Sequence, residues 1–280
     1  MKKTAILAMK YYLQDRELDY TQIDEFCEDS KICDIDILQN KLSTINTRLV
    51  DRQSLALEAA INPFNSDKNY NFLDKSKISV IVGSLSASVY PIFEYLVSAY
   101  EKGVNFVNPT FFPNCVANAP ASRLSIWNQF KNQVTSLSQG KGSGLDSIMI
   151  AKDEISSQKT EYAWAGASEE TGAALAFVGD SDQKSIKPIA YIKNCESRYI
   201  GNLSEDQAKN FINSVISSWG VDKFKHSIIY SKDSKLFSLQ PMLDLGRALL
   251  KIGNNELDLA VVVSVDSMGF VSMMELGRYI

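Results

Sequence analysis

Two segments of this chain repeat one local plan, and that repetition limits the folds open to it more than any other feature. Trp164-Ala-Gly-Ala-Ser-Glu-Glu-Thr-Gly172 runs into Ala173–Phe177, and Val261-Val-Val-Ser-Val-Asp-Ser-Met-Gly269 runs into Phe270–Met274. Each reads as strand, acidic turn, glycine, strand. The glycines lie 97 residues apart, and the same offset carries Leu145, Ile148, Ala151 and Ile155 onto Met242, Leu245, Ala248 and Ile252. Internal duplication is the economical reading. Chance is the alternative, because apolar residues at helical spacing match one another easily. Two copies of a βαβαβ-type unit with central, buried helices predict an α/β fold in five layers, α-β-α-β-α. The halves fall at 1–180 and 181–280 and form one compact unit.

The rest of the chain fits alternating strands and helices. Thr4 to Met9 reads as a first strand, and residues 14 to 75 are polar and helical in pattern, with Leu49, Leu55, Leu57, Ala59 and Ile61 as the apolar rhythm. The Pro63–Asn71 stretch should close that helix. Ile78–Val82 is a buried strand ending at Gly83, and Val89–Lys102 a helix with Pro91 in its first turn. Asn108–Asn118 is rich in turn formers and aromatics and leads into a helix through about Phe130. A strand over Gln133–Ser138 and a tight turn over Gln139–Gly144 precede the helix Leu145–Ser156, which is apolar around most of its circumference. Its counterpart at the 97-residue offset is the helix Pro241–Lys251.

Composition removes several function classes. Among 280 residues the net charge is −4, which gives no broad attraction to nucleic acid or anionic lipid. No run reaches the roughly 18 apolar residues of a membrane span. Lys10 cuts the first apolar run below the length of a signal-peptide core, so a cytoplasmic protein is expected. Cys27, Cys33, Cys115 and Cys195 are scattered without a paired spacing, which fits reduced thiols. His226 is the one histidine, so zinc sites and triads needing two histidines are excluded, and no metal or cofactor is expected. Trp127, Trp164 and Trp219 read as core, and Cys115 and Cys195 as inert thiols.

Lys141 stands in the glycine-rich turn that opens the buried helix, where one side chain and several backbone N–H groups converge. A phosphate-binding Walker loop would need glycine at Thr135 and Ser or Thr at Gly142. A dinucleotide fingerprint would need glycine at Leu145. Neither matches. A desolvated Lys141 would form a Schiff base; a structural lysine is the plainer reading. Asp146 caps the helix, pairs with Lys141, or sits in solvent.

Several segments together resemble the β-ketoacyl synthase family of the thiolase superfamily. Ile78–Ser84 is similar to its first glycine-ended strand, and Asn108–Asn118 to its "P-x-x-F-P…N" segment. Ser143-Gly-Leu-Asp146 resembles the start of its nucleophile helix, Ala165-Gly-Ala-Ser-Glu169 its "AGGxE", Thr171-Gly-Ala-Ala-Leu175 its "GEGAAxL", and Val265–Gly269 its closing "NSFGFGG". Laid on that pattern, Lys141 occupies the nucleophilic cysteine's place. The family histidines fall near Ser231–Ser234 and near Gln240, with Gly246 as the second motif's last glycine; His226 lies too early. Condensation needs a thiolate to carry the acyl chain and two neutral imidazoles to stabilise charge in decarboxylation. The lid loop between Glu170 and Thr171 is also missing.

The resemblance therefore implies a non-catalytic subunit, similar to the compact chain-length factors of type II polyketide and aryl polyene synthases. Its expected partners are a catalytic ketosynthase, as a heterodimer, and an acyl carrier protein. Gln133, Val134, Ser136 and Ser138 would pair across the dimer axis. Phe111, Phe112, Cys115, Val116 and Asn118 would line the partner's acyl tunnel or pack at the interface. The alternatives are a homodimeric pseudo-ketosynthase, an acyl-carrier-binding module, or an acyl-transfer or decarboxylating enzyme using Lys141.

Overall fold

The structure is a computed structural model describing residues 3–26, 31–65, 67, 70, 72–182, 186–201, 204–220, 227–231 and 234–278. The chain runs β1 (Thr4–Leu13), β2 (Arg16–Asp19), α1 (Ile35–Lys41), α2 (Arg52–Asn65), β3 (Ile78–Gly83), α3 (Val89–Lys102), α4 (Ala119–Asn128), β4 (Val134–Leu137), α5 (Ser143–Ser156), β5 (Tyr162–Glu169) and β6 (Gly172–Asp180). It continues through β7 (Ala190–Tyr199), α6 (Glu205–Ser218), β8 (Ser227–Tyr230), α7 (Leu239–Gly253), β9 (Leu259–Val265) and β10 (Phe270–Arg278).

Strand order is β4-β3-β5-β6-β1-β7-β10-β9-β8, with β2 appended to β1. The two halves of this order mirror each other about β1 and β7, which pair through Ala5 opposite Tyr191 and Ile6 opposite Ala190. In each half a parallel pair abuts an antiparallel hairpin, β3–β5–β6 in one and β8–β9–β10 in the other. The two hairpins are the segments related by the 97-residue offset. β4 has no counterpart in the second half among the described residues.

Alternation along the strands builds the layers. On β9, Ala260 and Val262 face one core while Val261 and Val263 face another; on β5, Ala163, Ala165 and Ala167 oppose Tyr162 and Trp164. Because successive strand side chains take opposite faces, each half-sheet is apolar on both. Three cores result. The central one joins Leu145, Ile148, Ala151 and Ile155 of α5 to Met242, Leu245, Ala248 and Ile252 of α7, between the half-sheets. α2 and α4 cover the first half-sheet from outside, and Ile212, Val215 and Ile216 of α6 cover the second. This is the five-layer α-β-α-β-α arrangement, and it explains why α5 is apolar almost all round.

Local differences from the sequence reading have physical causes. Residues 14 to 75 contain β2, because Gln14 and Asp15 both take positive φ and turn β1 back on itself. Such turns favour Asn-Gly pairs, so Gln-Asp gives little signal. Pro63 lies inside α2, which ends at Asn65, and Leu49, with φ 60°, precedes the helix. The strand expected over Gln133–Ser138 is four residues, Val134–Leu137. Trp164 is fully buried against Phe64 and Phe177, while Trp127 and Trp219 are half-buried.

Candidate functional site

The turn Gln139–Gly142 joins β4 to α5 and is locked from both sides. Ser143 Oγ accepts the Gln139 N–H at 2.9 Å and donates to the Gly140 carbonyl at 2.7 Å. Asp266, buried between β9 and β10, accepts the Lys141 N–H at 3.2 Å through Oδ2. Its other oxygen accepts the N–H groups of Met268 and Phe270 at 2.9 and 3.0 Å. One carboxylate thus holds the hairpin turn of the second half against the helix turn of the first. Gly140 has φ +83°, and a β-carbon there would overlap the Asp266 carboxylate; one on Gly142 would overlap Ser272 Oγ. Lys141 is half-buried.

One helical turn further on, Asp146 is buried. Burial pushes its carboxyl up to about 6 against the pull of the Ser272 and Ser197 hydroxyls, and the Asp266 charge adds to the rise.

A second carboxylate organises the ground beside this turn. Glu169, at the end of β5, accepts the Leu85 N–H at 2.7 Å and the Ser238 hydroxyl on one oxygen. The other oxygen accepts the Ser84 hydroxyl and the Ser86 N–H, each at 3.2 Å, and the Ser86 hydroxyl. Five donors meet a group with about four lone-pair sites, so Glu169 is saturated. It ties the loop after β3 and the head of α7 to the β5–β6 hairpin. Its neighbour Glu170 lies 3.7 Å from Arg52 Nη1. Burial pushes the Glu170 carboxyl up to about 7, the Arg52 charge draws it back, and Asp51, Glu94 and Glu169 add to the rise. Glu170 borders an apolar cavity of about 380 Å³ walled by Val89, Tyr90, Phe93 and Phe237, with Lys235 on its edge.

Gln240 is buried in the first turn of α7, its amide nitrogen 3.3–3.4 Å from the Asp244 carboxylate and its Oε1 without a partner among the described residues. Of the Ser231–Ser234 stretch, Ser231 donates its N–H to Val263 O at 2.8 Å and Ser234 Oγ accepts the Leu236 N–H at 3.1 Å. His226 and Cys27 lie outside the described residues. Burial pushes the Cys33 and Cys195 thiols up to about 12 and also raises Cys115.

The Asn108–Asn118 segment forms a 3-10 turn over Pro109–Cys115 against α3. Phe111 is half-buried; Phe112 is 56% exposed, edge-on to Tyr95. Cys115 Sγ donates to Pro91 O at 3.7 Å, and Val116 and Asn118 are exposed. Val89, Phe93, Leu96 and Tyr100 of α3 are exposed as well, an apolar concentration uncommon on a protein that works alone. Gln133, Val134 and Ser138 are exposed and Ser136 half-buried, because among the described residues β4 pairs with β3 alone.

A family model for the beta-ketoacyl synthase N-terminal domain matches residues 15–197, well over half of the chain. The chain belongs to the beta-ketoacyl synthase family. Solved structures carry its fold over the full length. The ishigamide ketosynthase/chain length factor superposes with a TM-score of 0.82 at 14% identity, covering 99% of each chain. A complex described as AntDE:AntF, a type II PKS acyl-carrier protein with its ketosynthase bound to the hexaketide, gives 0.78 at 14% identity over 100% of both chains. A beta-ketoacyl synthase from Burkholderia phymatum STM815 gives 0.73 at 11% identity, again over 100% of both. Comparison with curated proteins gave no match.

Within this ketosynthase fold, the structure brings Lys141, Asp146 and Asp266 together at the head of α5, and Glu169, Ser238 and Ser86 beside the head of α7. The Asn108–Asn118 segment is assembled with α3 instead. Sequence reading missed the structural weight of Asp266 and Glu169. The available signal was an acidic residue before the glycine in both repeated hairpins.

Proposed function

We propose that this chain is a chain-length-factor-like subunit that does not itself condense acyl groups, but pairs with a catalytic ketosynthase and shapes its acyl tunnel. The observation carrying this reading is Lys141 at the head of the buried helix α5, in the place where the family resemblance puts a nucleophilic cysteine. A lysine amine has no thiolate to form the acyl thioester, and the described cysteines sit elsewhere with thiols that burial keeps protonated. Gln240, near a family histidine position, is an amide that exchanges no proton near neutral pH. The one-sided pairing of β4 and the exposed apolar face of α3 favour a partner of the same fold, extending the sheet and covering that face. The ishigamide ketosynthase/chain length factor and the AntDE:AntF complex set the context: a type II polyketide-like system with an acyl carrier protein.

The test is co-expression with a ketosynthase that retains its cysteine and both histidines. The expected result is a 1:1 complex burying roughly 2,000 Å² or more, with acyl groups from carrier thioesters found by intact mass only on the partner. A stoichiometric acyl adduct on Lys141 would establish the lysine-dependent enzyme instead. A stable monomer indifferent to the partner would overturn the subunit reading.

A further inference from the structure

A lysine-lined cleft lies at the opposite end of α5 from the Lys141 turn. α5 has 14 residues, so at about 1.5 Å per residue the two are about 20 Å apart. The cleft sits where the half-sheets meet, at the start of β1, the start of β7 and the last turns of α5. It encloses about 310 Å³ and is lined by Lys3, Thr4, Lys152, Ser156, Tyr191, Ile192 and Lys193. Three lysines line this cleft with no carboxylate among its lining residues, in a chain whose net charge is −4.

None of the three lysines has an acidic ion-pair partner among the described residues. Lys152 Nζ donates to Lys193 O at 3.1 Å, and Lys3 Nζ lies 5.7 Å from the Tyr191 ring centre. The Lys193 stem crosses β10 at Gly277, where a β-carbon would come within 2.6 Å of its Cε. Asp180, the cross-strand neighbour of Thr4, uses its carboxylate to accept the Asp182 N–H at 3.1 Å. The negative end of the α5 dipole accounts for one cation near Ser156, but Lys3 and Lys193 come from outside the helix, Lys193 on a strand. Thr4 Oγ1 and Ser156 Oγ, 3.4 Å apart, supply hydroxyls at the same place.

We propose that this cleft binds a small phosphomonoester, with its dianionic head among Lys3, Lys152 and Lys193 and its organic part against Tyr191 and Ile192. Flexible lysine stems can bring ammonium point charges onto a dianion entering the cleft; a carboxylate is better served by the two-pronged fork of arginine, which the cleft lacks. The volume is at the lower end for small-molecule pockets. The inference is independent of whether the Lys141 turn performs chemistry.

The experiment titrates the full chain with phenyl phosphate by calorimetry at low ionic strength. Saturable binding is expected, weakened about tenfold or more by Lys152→Gln combined with Lys193→Gln, and unchanged by Lys251→Gln on the exposed end of α7. Ser156→Phe, which fills the cleft without altering charge, should abolish it, and inorganic phosphate should bind several-fold more weakly than phenyl phosphate. Circular dichroism confirms that each variant is folded. Absence of saturable binding, equal weakening by Lys251→Gln, or equal affinity for inorganic phosphate would overturn the proposal.

Discussion

The Asp266 carboxylate accepts the backbone N–H of Lys141 at 3.2 Å, joining residues 125 positions apart in sequence. It links the turn that opens α5 to the hairpin that closes the second half. Asp266→Ala removes acceptors from three part-buried backbone donors, each of which, left unpaired, costs about 1 kcal/mol, the low end of the range for buried unpaired groups, because water can reach it. A loss of about 2–3 kcal/mol in urea unfolding is expected. Gly140→Ala should cost more than about 2 kcal/mol, since it combines positive φ with a clash against the same carboxylate. Combined, the two changes should be less destabilising than their sum, because removing the carboxylate relieves the clash. Strict additivity would mean that the two groups do not meet.

The raised carboxyls give a pH signature. In the unfolded chain Asp146 and Glu170 titrate near about 3.9 and 4.3; in the folded protein burial moves them to about 6 and about 7. Between these values the native state holds protons that the unfolded state has released, so stability falls as pH rises from about 4 to about 7. Urea unfolding at a series of pH values measures this slope. Glu170→Gln should flatten its upper part and Asp146→Asn its lower part. An unchanged slope in both variants would contradict the burial assignment.

Much of this was legible in the sequence. The hairpin offset and the circumferentially apolar helix determined the layered plan, since period-2 and period-3.6 burial leave strong marks. The glycine-rich turn and Lys141 stood out because turn chemistry is local. The partners of that turn did not. Asp266 reaches Lys141, and Glu169 reaches Ser86 and Ser238, only once the two halves pack, and no local spacing encodes such contacts. The β1–β2 hairpin was hidden by Gln14 and Asp15, side chains that seldom mark a positive-φ turn.

The free edge of β4 supports a prediction about assembly. Val80 N–H bonds to Gln133 O and Ser84 N–H to Leu137 O, so odd-numbered residues of β4 face β3 and the N–H groups of Val134 and Ser136 point to the open side. Ser136→Pro removes an outward donor and leaves the β3 ladder intact, and edge strands tolerate proline. The variant should fold with wild-type circular dichroism yet fail to co-elute with a ketosynthase partner in gel filtration. Undiminished co-elution would mean that β4 is not the pairing strand.

Length control is the sharpest consequence of the proposed role, and it falls on Phe111 and Phe112. Phe112 is 56% exposed and its ring touches Tyr95 only at its edge, so it adds little to this chain's own core. Phe112→Ala should change the chain's stability by less than about 0.5 kcal/mol, as for most surface substitutions. In a complex, however, a ring presented to the partner's tunnel would act as a wall, because two further carbons cannot enter close-packed side chains without strain. Phe111→Ala and Phe112→Ala should therefore shift carrier-bound products of the reconstituted pair to longer chains, while Cys115→Phe and Val116→Phe should shorten them. Loading of the partner's cysteine should be unchanged in all four. Mass spectrometry of the carrier-bound intermediates reads the lengths, and gel filtration confirms that each pair has formed. Four intact pairs giving wild-type lengths would make this segment interface packing and remove it from length control.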